Sequence, residues 1–137
     1  VKWSGTLPAG TKYEHPVVSL DIMATALGIA GLKPAEGQPL DGVNLIPYLK
    51  GESTAPPHET LYWRFIQHRA IRHRNWKLTM PSNESPGLFD LSSDISESND
   101  VSAAHPEMVD ELKKRHAAWE AQMPPVSPVP RPRPVQN

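Results

Sequence analysis

The sequence predicts an α+β organisation, on three observations. An apolar run with helical spacing extends from Leu20 to Ala30. Residues 61–66 and 70–80 alternate with the two-residue period of strands. A second helical stripe, from Met108 to Met123, follows them. Strands grouped together and then followed by a helix favour an antiparallel sheet over a βαβ repeat.

Taken in order, residues 1–18 carry Gly5, Pro8, Gly10 and Pro16 and read as an extended connection. Ser19 is placed to cap a helix bearing Leu20, Ile22, Met23, Ala26, Leu27 and Ala30. Asp21 suits its first turn, where the helix dipole is positive, and Gly31 suits the position just past its end. After a loop to Gly42, Asn44 is expected to cap a short helix over Leu45–Lys50, closed by Gly51. The stretch GESTAPPH, 51–58, reads as a linker. Leu61, Trp63 and Phe65 then face one way and Tyr62, Arg64 and Ile66 the other. A second run leads through His73-Arg74-Asn75 into Trp76, Leu78 and Met80, with Lys77 and Thr79 opposite. This is a hairpin pattern in which Asn75 is expected to supply the turn. Gly87 to Leu91 makes a short fourth strand, SSDISESND an acidic loop, and Pro106 opens the last helix. Its stripe is Met108, Val109, Leu112, His116, Trp119 and Met123. Six of the 16 prolines fall in the last 14 residues, so the tail is expected to stay extended or disordered.

Charge is segregated rather than biased. Net charge is −1 over 137 residues, which argues against a polyanionic partner for the chain as a whole. Yet LYWRFIQHRAIRHRNWKL, 61–78, holds five Lys/Arg and no carboxylate, while 84–111 holds eight acids and no Lys or Arg. With no cysteine, there is no disulfide framework, thiolate nucleophile or Cys-ligated metal. No apolar run approaches the ~20 residues that span a bilayer, and no membrane partner is expected. The opening Val1-Lys2-Trp3 lacks an initiator Met and an apolar signal region, and looks cut from something longer.

Several segments together resemble the C-terminal part of the type I, formylglycine-dependent sulfatases of the alkaline-phosphatase-like superfamily. They are VKWSGTLPAGT, VVSLDIMATALGIAGL, LDGVNLIPYLKGE, ETLYWRF, HRAIRHRNWKLTM, GLFDLSSDISESNDVSAAHPEMVDEL and the closing tryptophan helix, in the family's order. One departure is Ala24–Thr25, where the family usually has Pro-Thr. The resemblance implies that residues 1–56 end a large α/β catalytic domain. Residues 57–123 would form a small antiparallel sheet of about four strands with one long packing helix, and 124–137 a proline-rich tail. It also implies that the apolar faces of Leu20–Ala30 and Leu45–Leu49 pack on a further sulfatase domain, a partner absent here.

Sulfatases hydrolyse sulfate esters with a formylglycine hydrate, formed in a Cys/Ser-x-Pro-x-Arg motif and assisted by calcium. No residue here matches that motif. Ser127-Pro128-Val129-Pro130-Arg131 has its proline one place late. The acids of SSDISESND lack the spacing of a calcium loop, so neither catalytic nor metal residues are assigned. Asp21 and Asp41 suit helix and turn positions better than catalysis. The substrate implied is a sulfated small molecule or glycan. His68 and Arg69, with Trp63 and Arg64 beside them, are the residues expected to contact it, by charge and by stacking. The cations Arg72, Arg74 and Lys77 read more plainly as partners of the acidic run 90–100. The resemblance also implies a periplasmic or secreted protein, while nothing bears on oligomeric state.

Three alternatives differ in kind. A phosphatase or phosphodiesterase of the same superfamily would use the same scaffold. An interaction module would display the PxxP run Pro125–Pro128. A nucleic-acid binder would use the basic aromatic stretch, but the neutral chain and adjoining acids argue against it.

Overall fold

The computed structural model describes residues 1–125, and the chain divides into two compact units, Val1–Glu59 and Thr60–Asn137. The expected proline-rich tail, with its PxxP and Ser127–Arg131 segments, lies outside the described residues from 126 onward.

The first unit holds α1 (Asp21–Ile29) and α2 (Ile46–Leu49), joined by loops. Both helices end as their glycines predict. Gly31, at φ 68, lets Leu32 N–H reach the Leu27 carbonyl at 2.9 Å and its own N–H reach Gly28 at 3.3 Å. Gly51, at φ 77, repeats the pattern, with Glu52 N–H on Pro47 at 2.8 Å. This double closure satisfies carbonyls that a helix end otherwise leaves orphaned. The starts differ from expectation. Ser19 does not cap α1; the N-cap is Leu20 and makes no side-chain bond. Asp21 reaches backwards instead, accepting from Val18 N–H at 2.9 Å. Asn44 accepts from Ile46 N–H at 3.0 Å, but from one residue before the N-cap, which is Leu45. α1 runs unbroken through Ala24, and Thr25 Oγ1 accepts the Leu45 N–H at 3.0 Å, tying α1 to the start of α2.

The second unit is a four-stranded antiparallel sheet in the order β1-β2-β3-β4, with one helix across it. The elements are β1 (Thr60–Phe65), β2 (His68–His73), β3 (Trp76–Met80), β4 (Gly87–Asp90) and α3 (Pro106–Glu120). In register, Tyr62 faces Ile71, Ile71 faces Leu78, and Leu78 faces Leu88. The pleat therefore lines these residues on one face. α3 lays Val109, Leu112 and His116 on that face, and Ile71, Leu78, Leu88 and Leu112 reach zero exposure. Each such side chain contributes about 1.5–3 kcal/mol of burial.

Both tight turns place a side chain where glycine or asparagine is usual. The β1–β2 turn, Ile66–Gln67, holds Ile66 at φ 55. In the β2–β3 turn Arg74 rather than Asn75 takes the left-handed conformation, at φ 54. The free edge of β4 is covered locally. Leu88 N–H donates to Asp100 at 3.0 Å and Val101 N–H to the Leu88 carbonyl at 2.9 Å.

Candidate functional site

The four residues expected to contact substrate all lie on the β1–β2 hairpin, but the pleat separates them. Arg64 pairs with Arg69 across the strands, on the face toward α3. Trp63 lies opposite Ala70 and Phe65 opposite His68, on the other face. The site is therefore two surfaces of one ribbon.

On the helix side the arginines are engaged. Arg69 Nε donates to Glu120 Oε2 at 2.8 Å and its Nη1 to the Gln67 carbonyl at 2.9 Å. Arg64 Nη1 stands 3.7 Å from Glu120 Oε1, and its Nη2 donates to the Pro124 carbonyl at 2.9 Å. The hydrogen bond from Arg69, its charge and those of His116 and Arg64 hold the Glu120 carboxyl below its ordinary value, outweighing partial burial. His116, 2% exposed, lies edge-on to Tyr62 and Trp119, its Nε2 3.2 Å from the Trp63 carbonyl and its Nδ1 3.6 Å from Glu120. Tyr62 and Trp119 stack at 5.0 Å. Glu120 thus fastens the end of α3 to the hairpin through both arginines.

The opposite face is open. Trp63 is 43% exposed and Phe65 70% exposed, and His68 is exposed beside them. The small Ala70 opposite Trp63 leaves the indole uncovered from that side. This half of the ribbon can stack on a ring and offer one imidazole.

The remaining cations of the basic stretch also have partners. Lys77 pairs with Glu97, in the acidic loop, and Arg72 Nε donates to the Arg74 carbonyl at 3.0 Å. The acids of that loop serve the backbone. Asp94 accepts from Asn99 N–H at 2.8 Å, and Asp100 accepts from Ser102 and Leu88 N–H. Those amides lower both carboxyls from their ordinary value. These bonds turn the loop's acids toward its own backbone. Among the described residues no three His, Cys, Asp or Glu converge for a metal. Nor is any described helix long and apolar enough to cross a membrane.

Two features of the first unit escaped the sequence reading. Asp21 is fully buried, and its two oxygens take Val18 N–H, Val43 N–H at 2.9 Å, and His58 Nε2 at 2.8 and 2.9 Å. Burial pushes this carboxyl up, but the two amides and His58 outweigh it, and it lies below its ordinary value. Gly42 makes this possible, since a Cβ there would meet the Leu20 carbonyl at 2.2 Å. His58 lies 37 residues away, and no local spacing signals the pair. The second feature is a groove of about 760 Å³, lined among others by Trp3, Tyr13, His15, Tyr48 and three lysines.

No family model matches the chain. Human (Homo sapiens) steryl-sulfatase is 34% identical over 62 residues, 45% of this chain and 11% of that protein. Arylsulfatase K of Danio rerio is 30% identical over 120 residues, 77% of this chain and 22% of that protein. Among solved structures, Ps i-CgsB, also solved in complex with k-i-k-neocarrahexaose, superposes with a TM-score of 0.73 at 30% identity. That match covers 85% of this chain and 27% of the other. The chain therefore spans between about a tenth and a quarter of the length of the relatives it matches.

Proposed function

The chain belongs with the C-terminal portion of the sulfatases in the alkaline-phosphatase-like superfamily, and on that premise we propose that it serves sulfate-ester hydrolysis as scaffold and outer substrate wall. The observation that carries this reading is the superposition of 85% of the chain on a quarter of a solved relative. The formylglycine motif does not occur in this sequence, and among the described residues no cluster of His, Cys, Asp or Glu converges for a metal. Bond cleavage is assigned to none of its residues, and the calcium to a further sulfatase domain. The exposed apolar side chains of α1, Ile22, Met23 and Ile29, are the surface on which that domain packs.

The substrate is a sulfated small molecule or glycan, as the neocarrahexaose complex of Ps i-CgsB suggests. Trp63 stacks on a non-reacting ring and His68 donates to its polar substituents. Arg64 and Arg69 keep the hairpin in place, and reach substrate only by leaving Glu120. A periplasmic or secreted location goes with this reading.

The test uses a sulfatase that includes this chain, with an aryl sulfate and a sulfated oligosaccharide as substrates. Trp63→Ala and His68→Ala should raise KM for the oligosaccharide severalfold and leave kcat nearly unchanged, because the contacts are remote from the reacting bond. Residues 1–137 alone should release no sulfate. Turnover of phosphate or phosphonate monoesters with none of sulfates would move the chain to the phosphatase branch. Hydrolysis by residues 1–137 alone would sink the proposal.

A further inference from the structure

Asp41 is the one aspartate of six in the sequence that precedes a glycine. The others are followed by Ile22, Leu91, Ile95, Val101 and Glu111. A side chain on the following residue crowds the backbone nitrogen that a carboxyl could attack through, whereas glycine leaves it open and free to turn. The structure adds to this difference. Asp41 is exposed, and among the described residues no hydrogen bond or ion pair holds its carboxyl group or the Gly42 N–H. The carboxyls of Asp21, Asp90, Asp94 and Asp100 are instead occupied, each accepting from at least one backbone N–H.

What adjoins the pair makes a change there consequential. A Cβ on Gly42 would stand 2.2 Å from the Leu20 carbonyl oxygen, so the backbone is pressed against the residue that starts α1. One residue on, Val43 N–H donates to Asp21 Oδ1 at 2.9 Å. That bond joins those from Val18 N–H and His58 Nε2 on the same buried carboxylate. The packing has no slack in which to absorb an extra backbone atom between residues 41 and 42. Any such lengthening is passed to Val43 and so to Asp21.

We propose that Asp41-Gly42 is a site of spontaneous isomerisation, which unfastens the Asp21 hub as the protein ages. The Gly42 nitrogen attacks Cγ of the protonated Asp41 carboxyl. A C–N bond forms, and the hydroxyl leaves with the amide proton as water, giving a five-membered succinimide. Water then opens the ring. Opening at Cγ restores aspartate, and opening at the main-chain carbonyl leaves the peptide bond running through the side chain, as isoaspartate. One water is lost and one regained, so the mass is unchanged and no oxidant, enzyme or cofactor takes part. The new link adds one methylene to the main chain, moves Gly42 off Leu20 and draws Val43 N–H away from Asp21. The chemistry is independent of sulfate-ester hydrolysis and needs no other domain.

The experiment ages the 137-residue protein at body temperature in mildly acidic buffer. Isoaspartate is read by labelling with an isoaspartyl methyltransferase, its position by tandem mass spectrometry, and amide protection by hydrogen exchange. Isoaspartate should accumulate at residue 41 roughly tenfold faster than at any other aspartate, a barrier lower by about 1.4 kcal/mol. In the aged fraction, exchange at Val18 and Val43 should accelerate roughly tenfold, a local opening, while Ile71 and Leu78 stay protected. Asp41→Glu, at an exposed position, would have to close a six-membered ring and should keep both amides protected over the same period. Absence of isoaspartate at residue 41, equal accumulation at the other aspartates, unchanged exchange at Val43 in the aged fraction, or the same loosening in Asp41→Glu overturns the proposal.

Discussion

The two units use opposite means to hold together. The second buries aliphatic side chains between a sheet and α3, with Ile71, Leu78, Leu88 and Leu112 out of water and its charges at the rim. In the first, the single buried residue of α1 is a carboxylate, Asp21, while Ile22, Met23 and Ile29 are 71%, 59% and 51% exposed. One unit is organised by the hydrophobic effect, the other by a charged hub collecting two amides and an imidazole. A helix with apolar residues outward and an aspartate inward is shaped for a further surface, whereas α3 has already found its own.

The contrast is sharpest in the core of the second unit. Leu112→Ala should cost about 3–5 kcal/mol, the range for truncating a fully buried leucine, measured by chemical denaturation. A cost under about 1 kcal/mol would mean that the sheet does not depend on α3.

In the first unit Asp21→Asn should cost about 2–3 kcal/mol, because one carboxylate satisfies three donors. Amide exchange at Val18 and Val43 should accelerate while Ile71 and Leu78 stay protected. The pH dependence has the sign of a depressed carboxyl. Its contribution is complete above the ordinary aspartate value and fades as pH falls through that value toward the lower folded one. Acidification should therefore loosen residues 18–25 and 43–46 before the sheet. The reverse order would break the comparison.

Smaller effects test the hairpin. Glu120→Gln should cost about 1 kcal/mol, since its partners are partly exposed. The loss should appear as faster exchange around Gln67. Ile66→Gly should be neutral to stabilising by about 0.5–1 kcal/mol in thermal unfolding, because φ 55 suits glycine and strains a β-branched residue.

Much of this was readable from the residues. Alternation separated the two faces of 61–66 and of 76–80, the 3.6-residue stripe grouped Val109, Leu112 and His116, and Gly31 and Gly51 marked two helix ends. The register that sets Tyr62, Ile71, Leu78 and Leu88 on one face came with the packed sheet. The candidate site was half readable. The basic hairpin was visible, but Arg64 and Arg69, expected to contact substrate, both lie against Glu120, 51 residues beyond Arg69. Ser19 was a reasonable cap, but α1 starts after Leu20 and Asp21 takes the Val18 N–H instead.

The sequence by itself determined periodicity, turn chemistry and the division of charge, because these follow from neighbours within a few residues. Only the tertiary structure decided which charges were already matched. Asp21 with His58, Arg69 with Glu120 and Lys77 with Glu97 are separated by 20 to 51 residues along the chain. Such pairs are chosen by where the packed backbone brings donor and acceptor, which no local pattern encodes.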